Sequence, residues 1–356
     1  MSSESVVRDR FEGRPVRCGV VGVGRMGQHH ARVYATREGS TLVGVVDGNP
    51  ARRREIAEKF SCRGFDSVQQ MIEAGVDAVS VATPTTAHRE AAEPLLRAGV
   101  ACLIEKPLAG DVPTARAIRD VADQTGGVLM VGHIERFNPI MRAMRKATET
   151  SHAVVPRFIE VHRVSPMTFR SVDVGVVMDM MIHDLDVILM LMGGQEPDDI
   201  KASGVAVITD HEDICNARLV FRNVKALGGA TCVVNITASR LALKTERVTR
   251  ITGENAYIKI DYAAKSGTMI RRIANELQMR EMREQLRRGM DLTSLKWNEL
   301  VNIEPLIVDD EEPIVAEIKE FLDAVRCGRR PAIDAEAGFA NVRTAERIVE
   351  AIKRGE

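Results

Sequence analysis

A tight glycine turn between a buried strand and a helix constrains this chain more than any other feature. Val16 to His30 reads V-R-C-G-V-V-G-V-G-R-M-G-Q-H-H. Val16, Val20, Val21 and Val23 form an apolar strand, and Ala31, Val33 and Tyr34 carry the helix onward. Between them, Gly22, Gly24 and Gly27 stand in G-x-G-x-x-G spacing. In that spacing the first glycine permits the turn and the second lets a pyrophosphate reach the backbone. The third lets the helix pack closely on the strand. Arg25 and Met26 fall inside the turn and join the expected cofactor-binding set. The helix aims unpaired N–H groups and its positive dipole end at an anion placed there. A second apolar run, Thr41 to Val46, ends at Asp47, twenty positions beyond Gly27. An acid there accepts hydrogen bonds from the adenosine ribose hydroxyls. The pattern predicts a dinucleotide site; a flavodoxin-like β–α–β unit without one fits it less well.

The alternation of strand and helix continues. Pro50 to Phe60 is a predicted helix that opens on proline, followed by the strands Val76 to Ala82, Val100 to Ile104 and Val128 to Gly132. Helices are expected from His88 to Gly99 and from Thr114 to Gln124. Short buried strands alternating with such helices imply an α/β, doubly wound parallel sheet, and ligands bind beyond the carboxyl ends of its strands. Gly24, Asp47, Thr83, Lys106 and His133 therefore converge on one edge, with Pro84, His88 and Glu105 beside them. Arg52, Arg53 and Arg54 lie near the adenosine site and offer a fork for a 2′-phosphate, or simply a solvated face. Asp47 repels such a phosphate, so the expected cofactor is NAD, with NADP as the alternative.

After about residue 150 the pattern changes. Val154 to Val164, Lys201 to Ile208, Cys215 to Phe221, Ala230 to Ala238, Arg247 to Thr252 and Tyr257 to Asp261 read as strands. One strong helix, Val174 to Met192, interrupts them. This predicts an α+β unit with a large open, mostly antiparallel sheet. Ile270 to Arg288 reads as a charged helical insertion, and Ile314 to Arg326 and Glu336 to Lys353 as late helices. The expected division is a loose tail over 1–14, a dinucleotide-binding domain over 15–135 and a substrate and oligomerisation domain over 136–334. A C-terminal helix over 335–356 packs back on the body.

The 356 residues, 45% apolar and 28% charged with a formal net charge of −1, suit two ordinary globular domains. That balance gives no argument for a nucleic-acid or membrane partner, and no apolar run reaches membrane-spanning length. The first residues lack the apolar segment of a secretory signal, and Cys18, Cys62, Cys102, Cys215, Cys232 and Cys327 form no C-x-x-C pair. Both features suit a cytoplasmic protein with free thiols.

Two stretches carry the chemistry. Glu105-Lys106-Pro107 closes a strand at the crevice, where a lysine can stabilise developing alkoxide charge. Its bland alternative is a surface lysine in a turn. In G-V-V-M-D-M-M-I-H-D-L-D, Asp179 and His183 are four apart on a helix, with Asp186 three beyond. A carboxylate beside an imidazole fixes its tautomer and raises its basicity, as a general base requires. The alternatives are a buried structural His–Asp pair or a divalent ion held by Asp179, His183 and Asp186. No further histidine cluster supports an ion, and no metal is expected. A short-chain dehydrogenase needs Y-x-x-x-K, and Tyr34, Tyr257 and Tyr262 all lack the lysine.

Taken together, G-V-G-R-M-G-Q-H-H, V-V-D, A-T-P-T-T-A-H, E-K-P, G-H-I-E-R-F-N-P, D-M-M-I-H-D-L-D and A-E-A-G-F-A-N-V-R-T-A-E-R-I resemble the glucose–fructose oxidoreductase / inositol dehydrogenase (Gfo/Idh/MocA) family over nearly the whole chain. The resemblance implies a Rossmann domain joined to an open-sheet domain, a nicotinamide cofactor, and oxidation or reduction of a sugar, nucleotide sugar or polyol. It makes Lys106, Asp179 and His183 the catalytic set. Met181 stands where the family's D-x-G-x-H pattern has glycine, which puts the pocket floor in question. The text from Glu160 through Val177, with N-E-L-V-N-I-E-P-L and E-E-P-I-V-A-E-I-K-E-F-L, resembles members acting on nucleotide sugars, of the UDP-N-acetylglucosamine 3-dehydrogenase type. Arg163 and Arg170 would suit a diphosphate, or alternatively ordinary ion pairs. His133, Arg136, Asn138 and Asp186 complete the expected substrate-binding set. The rival from another class is an NAD-binding regulator without turnover. Covering the open sheet predicts a homodimer or homotetramer.

Overall fold

A computed structural model describes residues 11–149, 154–168, 173–289 and 300–355. The first half contains strands β1 (Val16–Val21), β2 (Ser40–Val46), β3 (Arg63–Phe65), β4 (Ala78–Val81), β5 (Ala101–Glu105) and β6 (Leu129–Gly132). Helices α1 (Gly27–Thr36), α2 (Pro50–Lys59), α3 (Val68–Glu73), α4 (His88–Arg97) and α5 (Val112–Thr125) connect them. The strands pair in parallel in the order β3-β2-β1-β4-β5-β6. The strand order reverses direction about β1, and the crevice beyond β1 and β4 is the topological switch point. β4 and β6 are buried at every position, as strands covered on both faces must be.

The turn after β1 explains its glycines. Gly22 has φ +82°, which glycine adopts without strain. A Cβ on Gly27 would lie 1.8 Å from the Gly22 carbonyl oxygen, so strand and helix meet only without one.

The second half opens with α6 (Pro139–Glu149) and β7 (Pro156–Val164). A π-helical turn (Val177–Met181) then runs directly into α7 (Ile182–Leu191). Next come β8 (Asp199–Val205), β9 (Ile214–Val224), β10 (Ala230–Ser239), β11 (Glu246–Gly253), β12 (Ala256–Asp261) and β13 (Ser266–Arg272). The chain continues through α8 (Glu276–Arg287), β14 (Val301–Pro305), α9 (Pro313–Cys327) and α10 (Ala335–Arg354). The eight strands form one sheet in the order β14-β13-β12-β11-β7-β10-β9-β8, antiparallel except where β7 and β10 run parallel. The fold class is therefore α/β with a Rossmann-type parallel sheet, joined to an α+β unit with a mostly antiparallel sheet.

Two details depart from the sequence expectation. Ile270 to Arg272 belong to β13, because alternation there pairs them with β12 and β14; only Glu276–Arg287 is helix. Residues 290–299, just beyond that expected insertion, and residues 1–10 of the expected tail lie outside the described residues. The expected single helix Val174 to Met192 is interrupted by the π turn, which a periodicity of 3.6 does not reveal.

Two apolar cores result, and Met178 packs against both. α10 also serves both halves, packing on α5 and β6 and on α7 and β8. Its Asn341 donates to the Ile182 carbonyl at 3.0 Å, satisfying a group at the π–α junction. Substituting Gly27→Ala should destabilise the protein by about 1–3 kcal/mol, since overpacking against backbone cannot relax. A chemical denaturation midpoint equal to the parent's would contradict this.

Candidate active site

The crevice begins at the glycine turn. The N-terminus of α1 has no side-chain cap and its first turn carries no acid, so the positive end of its dipole is left for an anion to meet. A Cβ added at Gly24 meets nothing within 4 Å: the turn faces open space where a phosphate would approach. Asp47 is fixed at the end of β2, accepting from Val23 N at 2.8 Å and from Asn49 N at 2.8 Å. Arg52 donates to the Val23 carbonyl and pairs with Glu55, while Arg53 pairs with Asp66. Both guanidinium groups are thus engaged by the protein rather than held out for a 2′-phosphate. Thr83 Oγ1 is buried without a hydrogen-bond partner, a donor left over at the strand edge. These features fit a dinucleotide of the NAD type.

His88, expected to touch the cofactor, is buried instead. Its ring stands between the Thr83 carbonyl (3.1 Å) and the Pro107 carbonyl (3.0 Å) and braces the two loops that border the crevice. Burial lowers its pKa, and the contacts with those carbonyls partly restore it. The Lys106–Pro107 peptide that it braces is cis.

Lys106 leaves β5 and crosses to the π turn. Its Nζ donates to the Asp179 backbone oxygen at 3.0 Å and lies 3.8 Å from Asp179 Oδ1. Burial lowers the ammonium's pKa, and Asp179 and Glu105 partly restore it. The expectation that Asp179 would hold the His183 ring needs correction. The π turn carries Asp179 to Lys106, and the buried His183 Nδ1 has no hydrogen-bond partner. The imidazole still stands among cations. Burial first, then Lys106, Arg163, His133 and Arg247, push its pKa well below 6.5. A neutral ring in this position can accept a proton. The structure thus joins Lys106 to Asp179 from opposite halves of the chain and leaves His183 near enough for the lysine's charge to act on its ring.

The expected substrate-binding residues are displaced from the cleft surface. Arg136 forms two 2.6 Å bonds with Asp186 and a third to the Ala332 carbonyl. Arg163 is held by Asp184 (2.5 and 2.9 Å) and by Glu135 (3.2 Å), leaving no free edge for a diphosphate. Asn138 accepts from Ile140 N and donates toward Glu135, at the start of α6. His133 is buried with both ring nitrogens unpartnered. All five, counting Asp186, are buried; the paired Arg136, Asp186 and Arg163 form a scaffold behind the site, whereas the His133 ring bonds to nothing in it. Sequence spacing cannot separate an interior polar group from one lining a cleft. Arg170 lies outside the described residues. Met181 is fully buried in the second core, so it fills the interior behind the helix.

Sequence reasoning missed Arg247 on β11. Its side chain is 47% exposed, 3.9 Å from Glu135, and its charge acts on both His183 and Asp184. The signal was faint: one arginine in a strand of alternating pattern. All six cysteines are free, and burial pushes Cys62 and Cys232 up to about 11 and Cys215 to about 12. Among the described residues, no helix is long and apolar enough to cross a membrane.

Comparison with known proteins adds a consistent picture. The family model described as an oxidoreductase family with an NAD-binding Rossmann fold matches residues 16–133. The model of that family's C-terminal alpha/beta domain matches residues 168–356. UDP-N-acetylglucosamine 3-dehydrogenase of Acidithiobacillus ferrooxidans is 36% identical over 324 residues, covering 91% of this chain and 93% of that protein. A solved structure of that enzyme superposes with a TM-score of 0.81, covering 95% of this chain and 98% of the other at 34% identity. Inositol 2-dehydrogenase of Rhizobium meliloti is 34% identical over 204 residues, covering 54% of this chain and 59% of that protein.

Reassigning Arg136 and Asp186 to the scaffold has a measurable consequence. Asp186→Ala leaves a buried guanidinium unpaired and should cost about 3–5 kcal/mol of stability. Substrate KM in the surviving folded fraction should stay within about twofold of the parent. A large KM change in a variant of normal stability would restore Asp186 to the substrate surface.

Proposed function

The chain belongs to the Gfo/Idh/MocA oxidoreductase family, and from that premise we propose that it oxidises, reversibly, a secondary hydroxyl of a nucleotide sugar of the UDP-N-acetylglucosamine kind. The observation that carries this is the meeting of Lys106 with Asp179, the residue four before His183, at the mouth of an NAD-type crevice. NAD, bound at the glycine turn, supplies the hydride acceptor.

The chain's own residues do the rest. His183 is neutral at rest, so it takes the hydroxyl proton without first losing one. The Lys106 ammonium, anchored by Asp179, stabilises the negative charge that grows on the same oxygen. Asp179 acts through Lys106, fixing where that ammonium points. Run backwards, His183 returns the proton to a ketone's oxygen. Arg247, half-exposed beside the buried Arg163–Asp184 pair, is the cation we assign to the diphosphate in place of Arg163. The support for a nucleotide sugar over a polyol is the near full-length similarity to the Acidithiobacillus enzyme, against half-length similarity to the inositol enzyme.

The open face of the eight-stranded sheet presents Phe158, Val233 and Tyr257 only partly buried. We assign that face to a homo-oligomeric contact and the protein to the cytoplasm, a reading that its six free cysteines support.

Three results are expected. His183→Asn should lower kcat about 10²–10⁴-fold while NADH binding, read by fluorescence titration, is kept. In the oxidative direction, kcat/KM should hold steady on acidification through pH 6.5 and fall only below it, because the depressed pKa leaves the base unprotonated there. Arg247→Gln should raise KM for UDP-sugars about tenfold, a loss of about 1.4 kcal/mol, and leave KM for uncharged sugars unchanged. Equal effects on both substrate classes would remove the diphosphate role. Reduction of NAD by inositols but by no UDP-sugar would replace the substrate assignment.

A further inference from the structure

One buried carboxyl takes no part in the chemistry described so far. Glu317 lies on the inner stripe of α9 beside Ile314, Ile318 and Phe321. It is 0% exposed, and neither carboxyl oxygen has a hydrogen-bond partner. One of its oxygens, a ring nitrogen of His30 and an oxygen of Glu105 all lie within 4.8 Å of one another. Glu105 is the residue immediately before Lys106.

The neighbours define the charge state. Glu105 Oε1 is 2.9 Å from His30 Nε2, and Glu105 Oε2 accepts from Lys106 N at 3.3 Å. His30 Nδ1 is 3.0 Å from Ser80 Oγ, which the Tyr34 hydroxyl meets at 2.7 Å. Gly132 leaves the room this carboxylate occupies: a Cβ there would stand 3.3 Å from Glu105 Cδ. The groups facing Glu317 are thus His30 and Tyr34 from α1, Glu105 from the end of β5, and Asp186 from α7, already bound to Arg136.

Two anions cannot share such a pocket, because an unpaired buried charge costs several kcal/mol. The pair resolves by splitting. Burial works against the Glu105 carboxylate, but His30 and Lys106 hold its pKa below the usual range. For Glu317, burial first, then Glu105 and Asp186, raise the pKa well above it. A cation is a poor occupant here, since His30 and Glu105 already spend their facing atoms on each other.

We propose that Glu317 is a positioning residue that holds a proton through the working pH range, presents its neutral hydroxyl to Glu105 from within 4.8 Å, and so keeps Glu105 the single fixed anion behind the Lys106 ammonium. This rests on the role given to Lys106 above. Without that donor, Glu105 takes up a proton more readily, and Lys106 then loses an anion that favours its charged form.

Two measurements that need no turnover test it. Infrared difference spectra at neutral pH should show a protonated-carboxyl C=O band in the parent that is missing from Glu317→Gln. The pH dependence of Lys106 amine labelling, read by mass spectrometry of its peptide, should shift down by roughly half a unit or more in Glu317→Ala. Glu317→Gln, whose amide still donates, should restore the parent midpoint. Absence of the band overturns the proposal. So does a Glu317→Ala protein that melts earlier yet labels at the parent midpoint, which is the mark of a purely structural role. Failure of every sugar to reduce NAD, with band and labelling shift both present, would instead count against the activity proposed above.

Discussion

The contact between the Lys106 ammonium and the Asp179 carbonyl joins the two halves of this protein at the point where chemistry is expected. Its strength comes from desolvation. A charge-assisted bond in a part-buried cleft is worth more than one in water, and the same desolvation lowers the lysine's hold on its proton. The surrounding interactions support that one. The cis Lys106–Pro107 peptide and the His88 brace set where the lysine leaves its strand. The π turn sets where the carbonyl meets it.

The scaffold behind the cleft is built from paired charges rather than apolar packing alone. Arg136 with Asp186, and Arg163 with Asp184 and Glu135, are buried ion pairs whose geometry satisfies most of their donors. Such pairs contribute little net stability compared with apolar replacements, but they punish any other arrangement, because a lone member would be stranded. Arg163 lends the site something more: with Lys106 it raises the cost of charging His183. Structure and reactivity therefore share the same residues.

Much of this was legible in the sequence. The glycine turn, Asp47 and the alternation of strands with helices fix the first sheet and its ligand edge, because local spacing and long-range geometry agree there. The second sheet was legible as a type but not in its edges, since β13 and β14 flank a charged segment whose composition reads as helix. The site was legible in residue identity and less so in pairing. Asp179 and His183 at a spacing of four implied a mutual contact, and a single π turn reassigned the aspartate to Lys106. Arg163 and Asp186 read as candidates for substrate because charge in a sequence carries no sign of depth. His30 and Glu317 were not singled out in the sequence, because their meeting depends on α9 returning to α1 across most of the chain.

The position of α10 bears on how the molecule comes into being. On the ribosome it is made after every other element described, yet it clasps both halves and steadies the backbone at Ile182 through Asn341. Each half can begin to collapse as it emerges. The cleft, by contrast, is completed only when this last helix docks, so a nascent chain lacking it would carry all the reactive side chains without the arrangement that makes them work together.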